Sequence, residues 1–386
     1  VTLYEVYATR WDNPHIVDEL IPARNLQFSM PRCDHGEAHF DATVEPGWSS
    51  WRGSLTKDLS GVLITRDGVP IWQGWVVDDQ ETGPRTFSFR AIEWGYYFTL
   101  TPAIAHNYVQ QNDCLIFRDM IDRAQAVTGQ NVAVQTGTAL GSSVSDKTIN
   151  AWDNTTVERE FRAVADAEGG PEWYFGTTGT LDNPVRQLYL ADRLGTTDPA
   201  AFLEFVEDTA PVVGPDGPPT VQLLGSLFPG VQPQVPTRRA GGNVIAKART
   251  RQGDSATVAV ATNTEPQAAQ KQQTATSTLI GTGWPAMTRL NSYSNVTDNT
   301  TLLRHANADL AKAQGFTTGY SLATLDGDPD WTQVPRGSTV TVSLDTDVYA
   351  GPRPLEFGVR LLNVTVRVPD AGLAQVQWDV ATVQEV

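Results

Sequence analysis

Alternation of apolar and polar positions dominates the first hundred residues. In "ARNLQFSMP", Leu26 and Phe28 fall on one face and Asn25 and Gln27 on the other, the two-residue period of a half-buried strand. "GEAHFDATVEP" sets Ala38, Phe40 and Ala42 on one face. "RTFSFRAIEW" alternates Phe87, Phe89 and Ala91 with Thr86, Ser88 and Arg90. Between them, "VLITRDGVPIWQGWVV" puts Asp67-Gly68 between two β-rich runs, a strong short-range signal for a tight hairpin. Short strands at this spacing predict a sandwich or small barrel.

The period changes near residue 106. In "NDCLIFRDMIDRAQAVTG", Ile116, Met120, Ile121, Ala124 and Val127 recur at helical spacing, with Asn112 or Asp113 to cap the start and Gly129 to end it. A second helix is predicted from Val157 to Glu168, with Val157, Phe161, Val164 and Ala165 on one stripe. Thr155 and Glu158 form a capping-box pattern before it, and Gly169-Gly170 stops it. The strands "EWYF" and "RQLYLA" follow, which makes this stretch a small α/β insertion on a β scaffold.

Residues 207–242 are rich in proline and glycine and read as an extended connector. Strand patterns resume at "NVIAKARTRQG" and "SATVAVAT". A helix is predicted in "TLLRHANADLAKAQG", with Leu302, Leu303, Ala306 and Leu310 inward. The C-terminal stretches "STVTVSL", "LLNVTVRVP" and "AQVQWDVATV" alternate again. Val340 and Val342, then Val364, Val366 and Val368, then Val376, Trp378 and Val380 share faces.

Composition narrows the function. The chain has 386 residues, 32 glycines and 24 prolines, which favours turns and short strands over long helices. A net charge of -16 repels phosphate backbones, so no specific nucleic-acid grip is expected. Cys33 and Cys114 are the only cysteines, too few for a disulfide framework. No apolar run approaches the roughly 20 residues of a membrane span, and the first residues lack a signal-peptide pattern. A soluble protein folded in a reducing cytoplasm, without stable membrane insertion, is expected.

Reactive constellations are few. "CDHGEAH" gathers Cys33, His35 and His39, but a structural zinc site wants four ligands and no second pair follows, so a turn and strand outweigh a metal site. "LDGDPDW" spaces Asp326, Asp328 and Asp330 as calcium loops do. The sixth and twelfth positions hold Trp331 and Gly337 where an EF-hand needs Gly and Glu, leaving at most a looser ion site. The five histidines sit in no hydrolase signature, and no Walker lysine follows the glycine-rich stretches. Neither enzyme activity nor a cofactor is expected. Tryptophan stands out instead, with 11 copies, among them Trp48, Trp51, Trp173, Trp284 and Trp331. Trp72, Trp75, Trp94 and Trp378 are the candidates for core or subunit-interface positions, large aromatics being more often buried than displayed as a glycan platform.

"LIPARNLQFSMPRCDHGEAHFDATVEPGW", followed by "GVLITRDGVPIWQGWV" and "RTFSFRAIEWGYYF", resembles the N-terminal barrel of baseplate hub and tail-associated minor tail proteins of long-tailed, siphophage-type actinobacterial bacteriophages. "LLRHANADLAKAQG" and "GSTVTVSL" match the second half of that plan. The resemblance implies a mainly β chain with two tail-tube-like antiparallel β-barrels, a small α/β insertion and a connector. The implied divisions are a first barrel at 1–105, the insertion at 106–195, a return strand and connector at 196–242, and a second barrel at 243–386 with a helical insertion at about 265–335. It further implies a structural hub of the virion tail tip, assembled in the bacterial host cytoplasm. There a homotrimer would form a pseudo-sixfold ring, a symmetry adaptor lining the DNA exit channel. Implied partners are the distal tail protein or tail tube, the tape measure protein, and other tail-tip or fibre proteins. The chain reaches "VATVQEV" soon after its last alternating stretch, so any cell-wall-cleaving or receptor-binding activity is expected on another polypeptide. The alternative is a carbohydrate-binding or glycoside-cleaving β protein, which would need a Trp-lined cleft with two facing carboxylates.

Overall fold

The computed structural model describes residues 2–14, 16–44, 55–137, 141–197, 200–207, 223–225, 240–241, 243–251, 258–264, 270–278, 280, 286, 288–293, 296, 298–314, 316–326, 330–345, 355–370 and 372–382. Its N-terminal half holds β1 (Tyr4–Arg10), β2 (Ile16–Ile21), β3 (Ala23–Pro31), β4 (Glu37–Thr43), β5 (Ser60–Arg66), β6 (Val69–Gly83) and β7 (Thr86–Glu93). These lie in the order β3-β4-β7-β6-β5-β1-β2, antiparallel throughout. The β5–β6 turn puts Asp67 at φ 51° and Gly68 at φ 76°, the left-handed pair that lets two strands join without splaying.

The insertion follows: β8 (His106–Asn112), α1 (Asp113–Gln125), β9 (Val134–Gln135), β10 (Val144–Ile149), α2 (Val157–Ala165), β11 (Glu172–Gly179) and β12 (Pro184–Ala191). Asn112 caps α1 by accepting from the Leu115 N–H at 3.2 Å. The α2 cap is Thr156, one residue later than the expected Thr155, and its hydroxyl accepts from the Arg159 N–H. The capping box does not form: with Thr156 as the cap, the third helical position is Arg159, and Glu158 pairs with His35 and Arg162.

Strand β13 (Ala201–Glu207) leads through the short β14 (Leu223–Gly225) and β15 (Ala240–Gly241) to β16 (Asn243–Arg251). The rest of the expected connector lies outside the described residues. A small sheet of β17 (Val258–Asn263), β18 (Gln272–Thr276) and β19 (Thr288–Tyr293) packs against α3 (Asn299–Gln314). The chain closes with β20 (Phe316–Leu325), β21 (Thr339–Asp345), β22 (Leu355–Val368) and β23 (Gln375–Thr382).

Among the described residues, both halves belong to one 15-stranded sheet, joined by β22. The N-terminal part of this strand pairs with β21, from Leu344–Leu355 to Thr339–Arg360. Its C-terminal part pairs with β3, from Asn363–Pro31 to Val368–Leu26. A register shift between Leu361 and Asn363 marks the change of partner. There the Asn363 Oδ1 accepts from the Met30 backbone N–H at 3.1 Å, and its Nδ2 donates to the Asp379 carboxylate at 3.0 Å.

Core packing follows the same continuity. Phe28, Phe40, Trp72 and Phe89 from the first half share a single buried cluster with Leu322, Val340, Val342 and Trp378 from the second. A second cluster fills the insertion with Cys114, Ile116, Phe117, Met120, Phe161, Trp173 and Phe175. Strand β6 divides the two. Trp72 points into the first cluster and Trp75, three residues on and therefore on the opposite face, into the second. Burial on both faces makes "GVLIT" and "WQGWV" read as near-continuous apolar runs.

Candidate functional site

First half, insertion and second half meet at one charged, largely buried junction. Glu93 ends β7, and its Oε2 accepts from the Gly36 N–H at 2.8 Å while the Glu93 N–H donates to the Gly36 carbonyl at 2.8 Å. A Cβ on Gly36 would lie 2.0 Å from the Ser29 carbonyl oxygen, so this loop closes only with glycine. Arg336, from the second half, donates to Glu93 Oε1 at 3.0 Å and to the Phe175 carbonyl of the insertion at 3.0 Å. Its guanidinium lies 4.6 Å from the Tyr174 ring centroid. Burial pushes the Glu93 carboxyl above the usual carboxylate range, against the pull of Arg336 and the Gly36 N–H.

Glu172 of β11 binds the other two parties. Arg32, just past β3, donates to it at 2.5 Å, and Arg360 of β22 donates to both of its oxygens at 2.5 Å. The Leu194 N–H adds a further bond at 2.9 Å. Bidentate guanidinium–carboxylate geometry fixes angle as well as distance, which suits a joint between modules.

A second set ties the free end of the β1–β5 ladder to the end of β20. Tyr4 and Arg66 are cross-strand partners. The Tyr4 hydroxyl donates to Asp326 at 2.8 Å, Arg66 donates to Asp326 at 3.1 Å and to Asp330 at 2.9 Å, and the Trp331 indole donates to Asp326 at 3.1 Å. Burial first, then the Asp326 carboxylate, raises the Tyr4 hydroxyl well above its ordinary value. A third fastening is Arg186 of β12, buried against the Trp94 ring at 3.5 Å. It donates to the carbonyls of Arg10 (2.7 Å), Trp11 (2.8 Å) and Val132 (2.6 Å). Burial pushes its pKa down to about 9, so it stays charged at neutral pH.

The sequence candidates fall around these joints. Trp72 and Trp378 are buried in the shared core, donating to the Ser29 carbonyl at 3.1 Å and the Thr324 hydroxyl at 2.9 Å. Trp75 and Trp94 are buried in the insertion cluster. Trp48, Trp51 and Trp284 lie outside the described residues. Cys33, His35 and His39 do not converge. His35 is buried beside Trp173 and Phe175 with Nε2 3.1 Å from Glu158, whereas His39 is exposed and faces Glu37 at 3.4 Å. Asp326 and Asp330 turn to Arg66, and Asp328 lies outside the described residues. Among the described residues, no group of three or more His, Cys, Asp or Glu side chains has metal-binding geometry.

Sequence reasoning passed over Arg32, Glu93, Arg186, Glu172, Arg336 and Arg360. None belongs to a local motif, and no local spacing links residues so far apart along the chain. The one local hint was a charged residue at an inward position of an otherwise apolar alternation, as Arg186 and Glu93 are. Chemically the arrangement braces: its carboxylates are held by guanidinium groups and backbone N–H donors rather than aimed at an open cleft.

No family model and no curated protein sequence matches the chain. Solved structures do. The tail protein from Neisseria meningitidis MC58 aligns over 98% of this chain and 96% of its own, with a TM-score of 0.57 at 10% identity. The 43 kDa tail protein of prophage MuSo2 from Shewanella oneidensis aligns over 98% of both chains, with a TM-score of 0.56 at 11% identity. The E. coli c3393 protein aligns over 98% of this chain and 77% of its own, with a TM-score of 0.50 at 9% identity. It is described as a component of the type VI secretion system with structural similarity to the T4 bacteriophage tail proteins gp27 and gp5. The chain thus shares, over nearly its whole length, the mainly β fold of phage tail proteins.

Proposed function

We propose that the protein is a non-enzymatic baseplate hub of a phage tail tip. Three copies would form a pseudo-sixfold ring between a hexameric tail tube or distal tail protein and threefold tip proteins. The observation that carries this reading is the full-length likeness to tail proteins of similar size. The continuous sheet supports it: β22 hydrogen-bonds to strands of both halves, so in this reading each chain offers two joined strand groups and a trimer presents six. In this reading the groups before residue 105 and after 243 act as the two tube-like walls, and the insertion at 106–195 braces them from outside. The net charge of -16 suits a channel wall that DNA passes without sticking. Trp72, Trp75, Trp94 and Trp378 act as packing anchors. The distal tail protein, the tape measure protein and other tip or fibre proteins are the partners expected in a virion, after assembly in the host cytoplasm.

Light scattering coupled to size exclusion, followed by negative-stain microscopy of the full chain, tests the proposal. The expected particle has three times the 42.0 kDa chain mass and a central opening with threefold symmetry. A monomer that stays single at high concentration and alongside a tail-tube protein would overturn it.

A further inference from the structure

Helix α3 and the small β17–β19 sheet form a body with little core of its own. Among the described residues its core cluster is Ala261, Ala275, Val296, Leu302 and Ala306, with Ala259 and Val260 also buried on β17, a set with three small alanines in the cluster and no fully buried Phe, Tyr or Trp. Leu303, placed inward by the sequence pattern, is 39% exposed. Such a body holds its place largely through docking.

Docking runs through a narrow seam to the insertion. Arg304 donates to Asp113 at 2.7 Å, to the Ser145 hydroxyl at 2.7 Å, to the Val144 carbonyl at 2.9 Å and to the Glu168 carbonyl at 2.8 Å. Asn307 donates to the Glu168 side chain at 2.7 Å. Beside this seam, a cleft of about 480 Å³ lined by Thr156, Arg159, Ala163, Ser292 and Val296 leaves α2 and the body apart.

His305 sits at this seam, 2% exposed, stacked on Tyr293 with ring centroids 4.0 Å apart and planes 16° from parallel. Its Nδ1 has no hydrogen-bond partner among the described residues. The charges around it come from both sides. Lys147 of β10 and the adjacent Arg304 oppose a positive ring, while Asp309 and Asp166 favour one. Lys147 is itself held by Glu160 at 2.7 Å, and Asp309 accepts from the Tyr293 hydroxyl at 2.6 Å. Burial, reinforced by Lys147, pushes the imidazole pKa down to about 4.

We propose that the α3/β17–β19 body is an acid-released clamp on the insertion, docked while His305 is neutral and freed when His305 takes up a proton. The sign follows from linkage. An imidazole that is harder to protonate when docked takes up its proton preferentially in the undocked form, so docking weakens as pH falls from about 6.5 towards 4. With an ordinary histidine in the open form, opening rises roughly 20-fold between pH 7 and pH 5.

Hydrogen exchange of the full chain, corrected for the pH dependence of chemical exchange, tests this. Amides of α3 and β10 are expected to open roughly 20-fold more at pH 5 than at pH 7, while β5, β6 and β7 hold their protection. His305→Gln is expected to abolish the pH difference. An NMR titration of the wild-type His305 ring, expected to give a midpoint below 5, decides independently of how that variant folds. A midpoint near 6.5, equal opening of the wild-type seam at both pH values, or a pH difference persisting in H305Q would each overturn the proposal.

Discussion

Replacing Arg336 with methionine removes the guanidinium and leaves Glu93 buried beside Gly36 with one backbone donor. Stranding one partner of a buried ion pair costs about 3–5 kcal/mol. The bonds to the Phe175 and Pro31 carbonyls are lost as well, but methionine fills part of the space, so about 3–4 kcal/mol is expected near pH 8. The pH dependence distinguishes this cause from a packing defect. Glu93 already has a carboxyl raised above its usual range, and losing Arg336 raises it further. A raised native pKa contributes stability that is present at low pH and lost as pH rises through the folded value. The difference between wild type and R336M should therefore shrink as pH falls from 8 towards 5, because the stranded carboxyl neutralises itself. Urea unfolding of both proteins at several pH values measures this. Glu93→Gln in the R336M background should recover stability at pH 8 by removing the buried charge while keeping the acceptor for Gly36. A difference below about 1 kcal/mol, or one that is flat with pH, would refute a desolvated Glu93–Arg336 pair.

Gly36→Ala sets a Cβ 2.0 Å from a backbone oxygen, so the loop must shift, and a loss of at least about 2 kcal/mol is expected in thermal unfolding. Unfolding within experimental error of wild type would show that the loop relaxes without cost. Trp72→Ala and Trp378→Ala each open a void in one shared core and should cost about 3–5 kcal/mol. Because that core spans both halves, calorimetry of either variant should show the strands of both halves melting together. A variant in which only the mutated half loses its transition would argue for two separate cores.

Much of the secondary structure was decided by sequence alone, for a local reason. The Asp67-Gly68 turn, the inward faces of the strands around Phe28, Phe40 and Trp378, and the stripe on α1 each depend on a period of two or 3.6 and on nearby turn chemistry. Where two neighbouring residues offer the same local bond, as Thr155 and Thr156 do before α2, local spacing does not choose between them: Thr156 is the cap, and Glu158 pairs with His35. Leu303 stayed exposed because the surface it would have met is a small sheet that Leu302 and Ala306 already cover. The joining of both halves by β22, the Glu93–Arg336 and Glu172–Arg360 pairs, and the docking of Arg304 on Asp113 bring together residues 188–342 positions apart. Periodicity records which face of a strand avoids water. It carries no record of which distant strand will meet that face, since burial is non-directional and partner choice is made only when the chain closes on itself.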